Sequence, residues 1–316
     1  MAKICVIGGS GFLGRHVIAR LAAAGHFVTA PTRRFERAKH LLLLPTVEVV
    51  EARVLDEAAL CKLVGGCDAV INLAGVLFSR PAASADPPYG REFARAHVEL
   101  PSLLVASCIK SNVSRLVHVS ALGASAEAPS EYLRSKAGGE SASAGARERL
   151  ACTVFRPSVI FGPEDRFLNM FAQLQRWLPM LFLACPQARF QPVHVDDVAA
   201  CITKSLFDRE AFHRSFDLCG PEVWTLREMV AFAGRASGNR RPIVGLSNGL
   251  SYAQACAMEL LPVKLMSRDN VRSMRIDSVC RCEFPFGMRP IALETAAAYL
   301  TREIPRFSRL RGRAGR

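Results

Sequence analysis

The chain has 316 residues, is 50% hydrophobic, and carries 41 Lys+Arg against 28 Asp+Glu for a formal net charge of +13 at pH 7. That hydrophobic share excludes disorder as the main state, and an apolar stretch such as Leu178–Cys185, broken by Pro179, falls far short of the roughly 20 apolar residues a membrane-spanning helix needs. The positive charge is spread along the sequence apart from a basic tail at Arg306, Arg309, Arg311, Arg313 and Arg316, and without RNA-reading aromatic motifs or DNA-binding fingerprints no nucleic-acid partner is expected.

In chain order, Lys3 to Gly8 is a short β-branched apolar run, Phe12 to Ala24 has helical periodicity, and Phe27 to Ala30 is apolar again: a βαβ unit. Val47–Val50, Ala69–Leu73, Leu116–Val119 and Thr153–Phe155 read as further buried strands, separated by segments able to form helices, among them Glu57–Val64. Near-continuous apolar strands alternating with helices predict a parallel sheet covered on both faces. After Arg156-Pro157 the character changes. Phe167–Leu183 is apolar and aromatic, Phe190–Val195 reads as a strand running into Asp196-Asp197, and helices are expected at Val198–Phe207, Leu226–Ser237, Leu250–Leu260 and Ile291–Leu300. The predicted fold is α/β, a Rossmann doubly wound parallel sheet with a smaller, mainly helical C-terminal region. Residues 1–160 form the nucleotide-binding domain and 161–316 the substrate or partner region, with 189–208 returning to the first domain.

The start, Met-Ala-Lys followed by an apolar run ending in glycines, lacks the layout of a signal peptide, which predicts a cytoplasmic protein, peripheral on the inner membrane at most. Eleven cysteines are scattered, and pairs such as Cys61/Cys67 and Cys280/Cys282 lack the spacing of a zinc site, so reduced thiols and no metal are expected.

Gly8, Gly11 and Gly14 stand where the first strand meets the first helix. Gly8 permits the tight turn, Gly11 lets backbone approach a pyrophosphate, and Gly14 allows close packing of helix on strand, while free N–H groups at Phe12 and Leu13 attract the anion. An NAD-preferring site places a carboxylate at the end of the second strand; here Thr32-Arg33-Arg34 stands instead, which suits a 2′-phosphate and predicts NADP(H) over NAD(H). Asp56 either covers the adenine edge or caps the helix that follows it. Asn72-Leu73-Ala74-Gly75 ends the fourth strand with small residues over which a dinucleotide can lie. Asp196 and Asp197 are expected as helix caps, and His194 as a packing residue.

The glycine loop, Asn72–Gly75, Tyr132-Leu-Arg-Ser-Lys136 and Arg156-Pro-Ser-Val-Ile-Phe-Gly-Pro163 together resemble an extended or atypical short-chain dehydrogenase/reductase of the NAD-dependent epimerase/dehydratase type, over essentially the whole chain. More narrowly, Arg156–Phe171, Phe190–Ala199 and Ser267–Asp277 resemble bacterial relatives of the nucleotide-binding accessory subunit of respiratory complex I. The resemblance implies that Tyr132 exchanges a proton with the substrate oxygen. It further implies that Lys136, one turn on along the same helix face, lowers the tyrosine pKa and holds the nicotinamide ribose. It makes Ser120 the nearest candidate for the substrate-polarising serine, brings Pro157 and Val159 near the nicotinamide carboxamide, and leaves His97, read as an ordinary half-buried histidine, where the family often has an asparagine.

Three functions stay open at this level: an NADP-dependent oxidoreductase or epimerase working through Tyr132 and Lys136, a non-catalytic NADPH-holding subunit of a membrane respiratory assembly, and a redox sensor. Phe167–Leu183 and Met258–Met266 line an apolar substrate pocket, a partner or membrane surface, or plain core. An apolar or lipid-like substrate is favoured over a sugar nucleotide.

Overall fold

The computed structural model describes residues 1–82, 88–261 and 265–300. The basic tail from Arg306 to Arg316 and part of the Met258–Met266 stretch lie outside the described residues. In chain order the first half runs β1 (Lys3–Ile7), α1 (Phe12–Ala23), β2 (Phe27–Thr32), a 3-10 segment (Phe35–Leu43), β3 (Val47–Glu51), α2 (Glu57–Val64) and β4 (Ala69–Asn72). It continues through α3 (Arg91–Phe93), a π-helical turn (Ala94–Glu99), α4 (Leu100–Lys110), β5 (Arg115–Val119), α5 (Glu131–Ala144) and β6 (Ala151–Pro157).

The second half comprises β7 (Ile160–Phe161), α6 (Phe167–Trp177), β8 (Leu181–Leu183), β9 (Arg189–Phe190), β10 (Val193–His194), α7 (Val195–Ser205) and β11 (Ser215–Leu218). Then follow β12 (Trp224–Thr225), α8 (Leu226–Ala236), β13 (Ile243–Gly245), α9 (Asn248–Glu259), α10 (Arg268–Ser273) and α11 (Leu293–Ala296). No helix among the described residues is long and apolar enough to cross a membrane.

Seven strands form one parallel sheet in the order β11-β6-β5-β4-β1-β2-β3. Successive side chains of β1 face opposite ways. Ile4 and Val6 join Val17, Ile18 and Leu21 of α1 and Val198 and Ile202 of α7 on one face, while Cys5 and Ile7 join Leu60 of α2 and Leu104 and Cys108 of α4 on the other. Both faces are therefore apolar, which is why the strands read as continuous hydrophobic runs. Each such fully buried aliphatic side chain contributes about 2 kcal/mol. The strand order reverses between β1 and β4, whose ends meet in register at Ile7 and Asn72, and that switch point is where α/β sheets bind ligands. α6 packs against α8 over Leu168, Met229, Phe232 and Ala233, giving the C-terminal region its own core.

Several expectations need correction. The chain returns to the main sheet not only through α7, which lies on α1, but again at β11, beyond residue 208. The single strand expected over Phe190–Val195 is two short ones, β9 and β10: Pro192 has no N–H to donate, and Gln191 N–H goes to Ser278 O instead. The helix expected at 291–300 is only one turn of α11 followed by a 3-10 turn at Ala297–Leu300. The cap of α7 is the side chain of His194, whose Nδ1 accepts from Asp196 N–H at 3.3 Å; Asp196 and Asp197 sit in the first turn, so the histidine caps and the aspartates do not. Asp197 accepts from Ile291 N–H at 2.7 Å. Cys280 and Cys282 are joined in a disulfide rather than standing as thiols, their Cα atoms 5.6 Å apart, a spacing that permits the bond and that the sequence does not reveal.

Candidate active site

The glycine loop is built by contacts that leave no room for a Cβ. Gly8 takes φ +81°, and a Cβ there would meet the Leu73 carbonyl carbon at 2.9 Å; at Gly14 it would meet the carbonyl oxygens of Gly8 and Gly9 at 2.5 Å. So β1, α1 and the Leu73-Ala74 turn close onto one another at the switch point. Gly11 is the N-cap of α1 and contributes no side-chain bond, leaving the N–H groups at Phe12 and Leu13 without a capping side chain. Leu13 packs on the core, and Phe12 stands edge-on to His16 at 5.8 Å.

At the end of β2, buried Thr32 spends its hydroxyl on Arg34, donating to the carbonyl at 3.1 Å and accepting from the N–H at 3.4 Å. Arg33 and Arg34 are exposed, and neither forms an ion pair among the described residues. Asp56 caps α2, accepting from Ala59 N–H at 2.8 Å, which fills one of the two roles left open for it.

Asn72 is buried, donating from Nδ2 to His118 Nδ1 at 3.1 Å and accepting from Ala74 N–H at 3.1 Å, which shapes the turn into Gly75. A Cβ on Gly75 would lie 3.4 Å from Lys136 Nζ and 3.6 Å from His97 Nε2, so the end of β4 meets α5 and the π-helical turn here. His97 is 1% exposed, not half-buried. Its Nε2 accepts from Val76 N–H at 3.0 Å, so Nδ1 carries the proton and donates to Ser135 Oγ at 2.8 Å, which in turn donates to Tyr132 O at 2.7 Å. Burial, then the nearby Lys136, pull its pKa down to about 2, and it stays neutral.

α5 places Tyr132 and Lys136 on one face. Its N-terminus is fully satisfied: Glu131 and Tyr132 N–H donate to the Asp269 carboxylate at 2.7 and 3.0 Å, Leu133 N–H to Ser130 Oγ at 3.2 Å, and Arg134 N–H to Ser130 O at 3.1 Å. Asp269 comes from α10, 137 residues beyond Tyr132. Sequence reasoning missed it, although the segment Ser267–Asp277 had been singled out without a role. Glu131 reaches the other way, accepting from Gly90 N–H at 2.8 Å and Ala82 N–H at 3.1 Å.

Lys136 is 5% exposed and donates to Val119 O at 3.2 Å. Burial lowers its pKa to about 8, against the pull of Glu140. Burial also raises Tyr132 to about 12 with no opposing cause. The lowering of the tyrosine by the ammonium that the resemblance implies has no counterpart among the causes acting on Tyr132. The Tyr132 hydroxyl makes no hydrogen bond among the described residues; its ring lies edge-on to His97 at 5.5 Å.

Ser120 follows Val119 at the end of β5, is buried, and its Oγ has no partner among the described residues. Pro157 ends β6 and accepts from Leu122 N–H at 3.0 Å, and Val159 accepts from Val193 N–H at 3.0 Å. Between them Ser158 Oγ donates to Ser278 O at 2.8 Å. Behind the site Arg156 forks onto Glu140, with Nε 2.9 Å from Oε1.

The model of the NAD dependent epimerase/dehydratase family matches residues 4–215. Among curated proteins, the chain is 34% identical over 232 residues to NADH dehydrogenase (ubiquinone) 1 alpha subcomplex subunit 9, mitochondrial, of Arabidopsis thaliana, covering 71% of this chain and 55% of the relative. It is 29% identical over 197 residues to a ceramide reductase of Caulobacter vibrioides, covering 62% and 58%. The chain thus spans little more than half the length of either relative. A solved UDP-N-acetylglucosamine 4-epimerase from Bacillus cereus shares the fold at TM-score 0.64 and 17% identity, over 95% of this chain and 96% of that one. With its sheet order, glycine-closed switch point and Tyr132/Lys136 helix, the chain belongs to the NAD-dependent epimerase/dehydratase family of short-chain dehydrogenase/reductase fold.

Proposed function

We propose that the protein is an NADPH-dependent reductase in which Tyr132 gives a proton to the carbonyl oxygen of an apolar substrate. The observation that carries this reading is the Tyr132 hydroxyl, which has no hydrogen-bond partner among the described residues and is kept protonated by burial, its pKa raised to about 12, on a helix locked at its N-terminus. A phenol in that state is protonated at neutral pH and so carries the proton that the oxygen of a reduced carbonyl takes up. The residues fit a dinucleotide: the Gly8/Gly14 closure admits backbone only, the first turn of α1 offers uncapped N–H groups, and Ser120 Oγ is an orphaned buried hydroxyl. Gly8, Gly11, Phe12, Leu13 and Gly14 bind the pyrophosphate. Arg33 and Arg34, set by Thr32, hold the 2′-phosphate, with Asp56 at the adenine side. Leu73, Ala74 and Gly75 floor the groove, Lys136 holds the ribose, and Pro157 and Val159 border the carboxamide. When bound, the nicotinamide supplies the hydride. Ser120 donates to the substrate oxygen as Tyr132 protonates it. The C-terminal region from residue 161 provides the substrate or partner face, and the ceramide reductase relative agrees with a lipid-like substrate.

One observation favours a second reading, an NADPH-holding subunit that docks on a membrane respiratory assembly or senses its redox state. His97 stands where the family often has an asparagine, and its two nitrogens are committed to Val76 and Ser135, so it relays no proton from solvent to the Tyr132/Lys136 pair. The respiratory-complex relative agrees with this. Native mass spectrometry of the purified protein, followed by NADPH oxidation against carbonyls including quinones and lipid aldehydes, separates the two. Bound NADPH with turnover abolished in Tyr132→Phe supports the reductase; bound NADPH without turnover selects the holding subunit; no bindable dinucleotide refutes both.

A further inference from the structure

Three sulfurs meet away from the Tyr132/Lys136 pair. Cys219 follows the last residue of β11, and Cys280 and Cys282 lie on the extended segment between α10 and the Pro285–Gly287 turn. Their sulfur atoms all lie within 4.8 Å of one another, with Cys219 buried, Cys280 half-buried and Cys282 exposed. The grouping is not a product of the Cys280–Cys282 bond alone, because Gln191 clamps the two backbones independently. Its Oε1 accepts from Cys280 N–H at 3.0 Å, its Nε2 donates to Gly220 O at 2.7 Å, and its own N–H donates to Ser278 O at 3.0 Å. Ser158 Oγ adds a bond to Ser278 O at 2.8 Å. The Cys282 sulfur lies 3.6 Å from Asp217 O, and the Asp217 carboxylate adds negative charge at Cys219.

We propose that Cys219, Cys280 and Cys282 form a redox-gated site for a thiophilic cation, Zn²⁺ being the natural occupant. Three thiolates with a fourth position open to water is a known zinc arrangement in chemistry, and once the disulfide opens, sulfurs that start within 4.8 Å of one another need only small shifts to reach the roughly 3.8 Å that tetrahedral bonds of about 2.3 Å to one ion set. The carboxylate of Asp217 and the carbonyl dipoles of β11 favour a cation there. Gating follows from the disulfide. A low-molecular-weight dithiol reduces the Cys280–Cys282 bond by thiol exchange: two electrons enter the pair, two protons go to its sulfurs, and the dithiol closes into its own disulfide. The three thiols then release their protons as three Zn–S bonds form. A disulfide oxidant withdraws two electrons, re-forms Cys280–Cys282 and expels the ion. Only one thiol remains in the oxidised state, too few to hold it. Because Ser158 is bonded to Ser278 on the same segment, occupancy also fixes the strand end that carries Pro157 and Val159.

The test uses the full chain, reduced with dithiothreitol, desalted anaerobically, and titrated with Zn²⁺ and with Co²⁺. One equivalent of Zn²⁺ retained against a competing chromophoric chelator, with a thiolate-to-cobalt charge-transfer band, is expected for reduced protein, and at least a hundredfold weaker binding for the oxidised protein. Cys219→Ser and the exposed Cys282→Ser each lose the equivalent at least a hundredfold, while Cys61→Ser keeps it; a melting curve matching the parent establishes that the exposed variant is folded. Absence of a retained equivalent in reduced protein, or its persistence in Cys282→Ser or in oxidised protein, overturns the assignment.

Discussion

Asp269→Ala removes both acceptors that α10 offers to the start of α5. Glu131 and Tyr132 N–H donate to its two oxygens at 2.7 and 3.0 Å; without them two backbone donors lose charged partners at a half-buried position, while Ser130 continues to serve Leu133 and Arg134. Loss of a helix cap and of charge-assisted bonds of this kind costs about 2–3 kcal/mol. For a chain longer than 250 residues, where each kcal/mol moves the midpoint by about 2 °C, the melting temperature falls by about 5 °C. Asp269→Asn keeps one acceptor and loses the charge, so it falls roughly half as far. Thermal unfolding read by circular dichroism gives the shift, and amide hydrogen exchange locates it: protection is lost at Glu131 and Tyr132 and kept in β1 and β4. A midpoint within 1 °C of the parent together with unchanged exchange at those two amides refutes the view that α10 holds the tyrosine helix in place.

Gly14→Ala brings a Cβ within 2.5 Å of the Gly8 and Gly9 carbonyl oxygens and opens the turn; NADPH affinity drops at least tenfold by fluorescence titration, and a change under twofold contradicts a phosphate role for the loop. Lys136 titrates at about 8 in the folded chain against an ordinary 10.5. Between those values the unfolded chain binds more protons, so stability rises with pH there by up to about 3 kcal/mol in total. Lys136→Met flattens that rise in denaturant unfolding at stepped pH, and a slope that survives assigns it to another group. The double variant Arg33→Ala/Arg34→Ala narrows the preference for NADPH over NADH by about ten- to a hundredfold, the worth of one or two charge-assisted phosphate bonds; equal loss for both dinucleotides refutes 2′-phosphate recognition.

The parts of the site that the sequence made legible are those whose constraint is local. Gly8 and Gly14 exist because a Cβ would strike backbone a few residues or one strand away, and such positions leave their mark as glycine at fixed offsets. Tyr132 and Lys136 are visible through the resemblance of Tyr132–Lys136 to a family motif, with which their one-turn spacing on α5 agrees. The rest depends on partners far apart in the chain. Asp269 meets α5 from the other half of the protein, Asn72 finds His118 on the neighbouring strand, and Cys219 finds Cys280 and Cys282 only after β11 has rejoined the sheet; no spacing rule encodes any of these. The error at 190–195 is of another kind, since Pro192 was present to forbid a continuous strand and the hydrophobic run was read over it.

The π-helical turn at Ala94–Glu99 sets the direction in which His97 enters the wall beside Tyr132. A π turn carries one residue more than the α ladder around it, and each helical residue turns the chain by about 100°. Deleting a single residue in this turn would restore the ordinary ladder on its C-terminal side and swing His97 out from between Val76 and Ser135. The cavity so vacated, lined by the Val76 N–H and the Ser135 hydroxyl, has the donors and acceptors to seat a water molecule. A change of one codon's length, far from the tyrosine in mechanism though adjacent to it in space, would thus exchange a dry wall for a wet one.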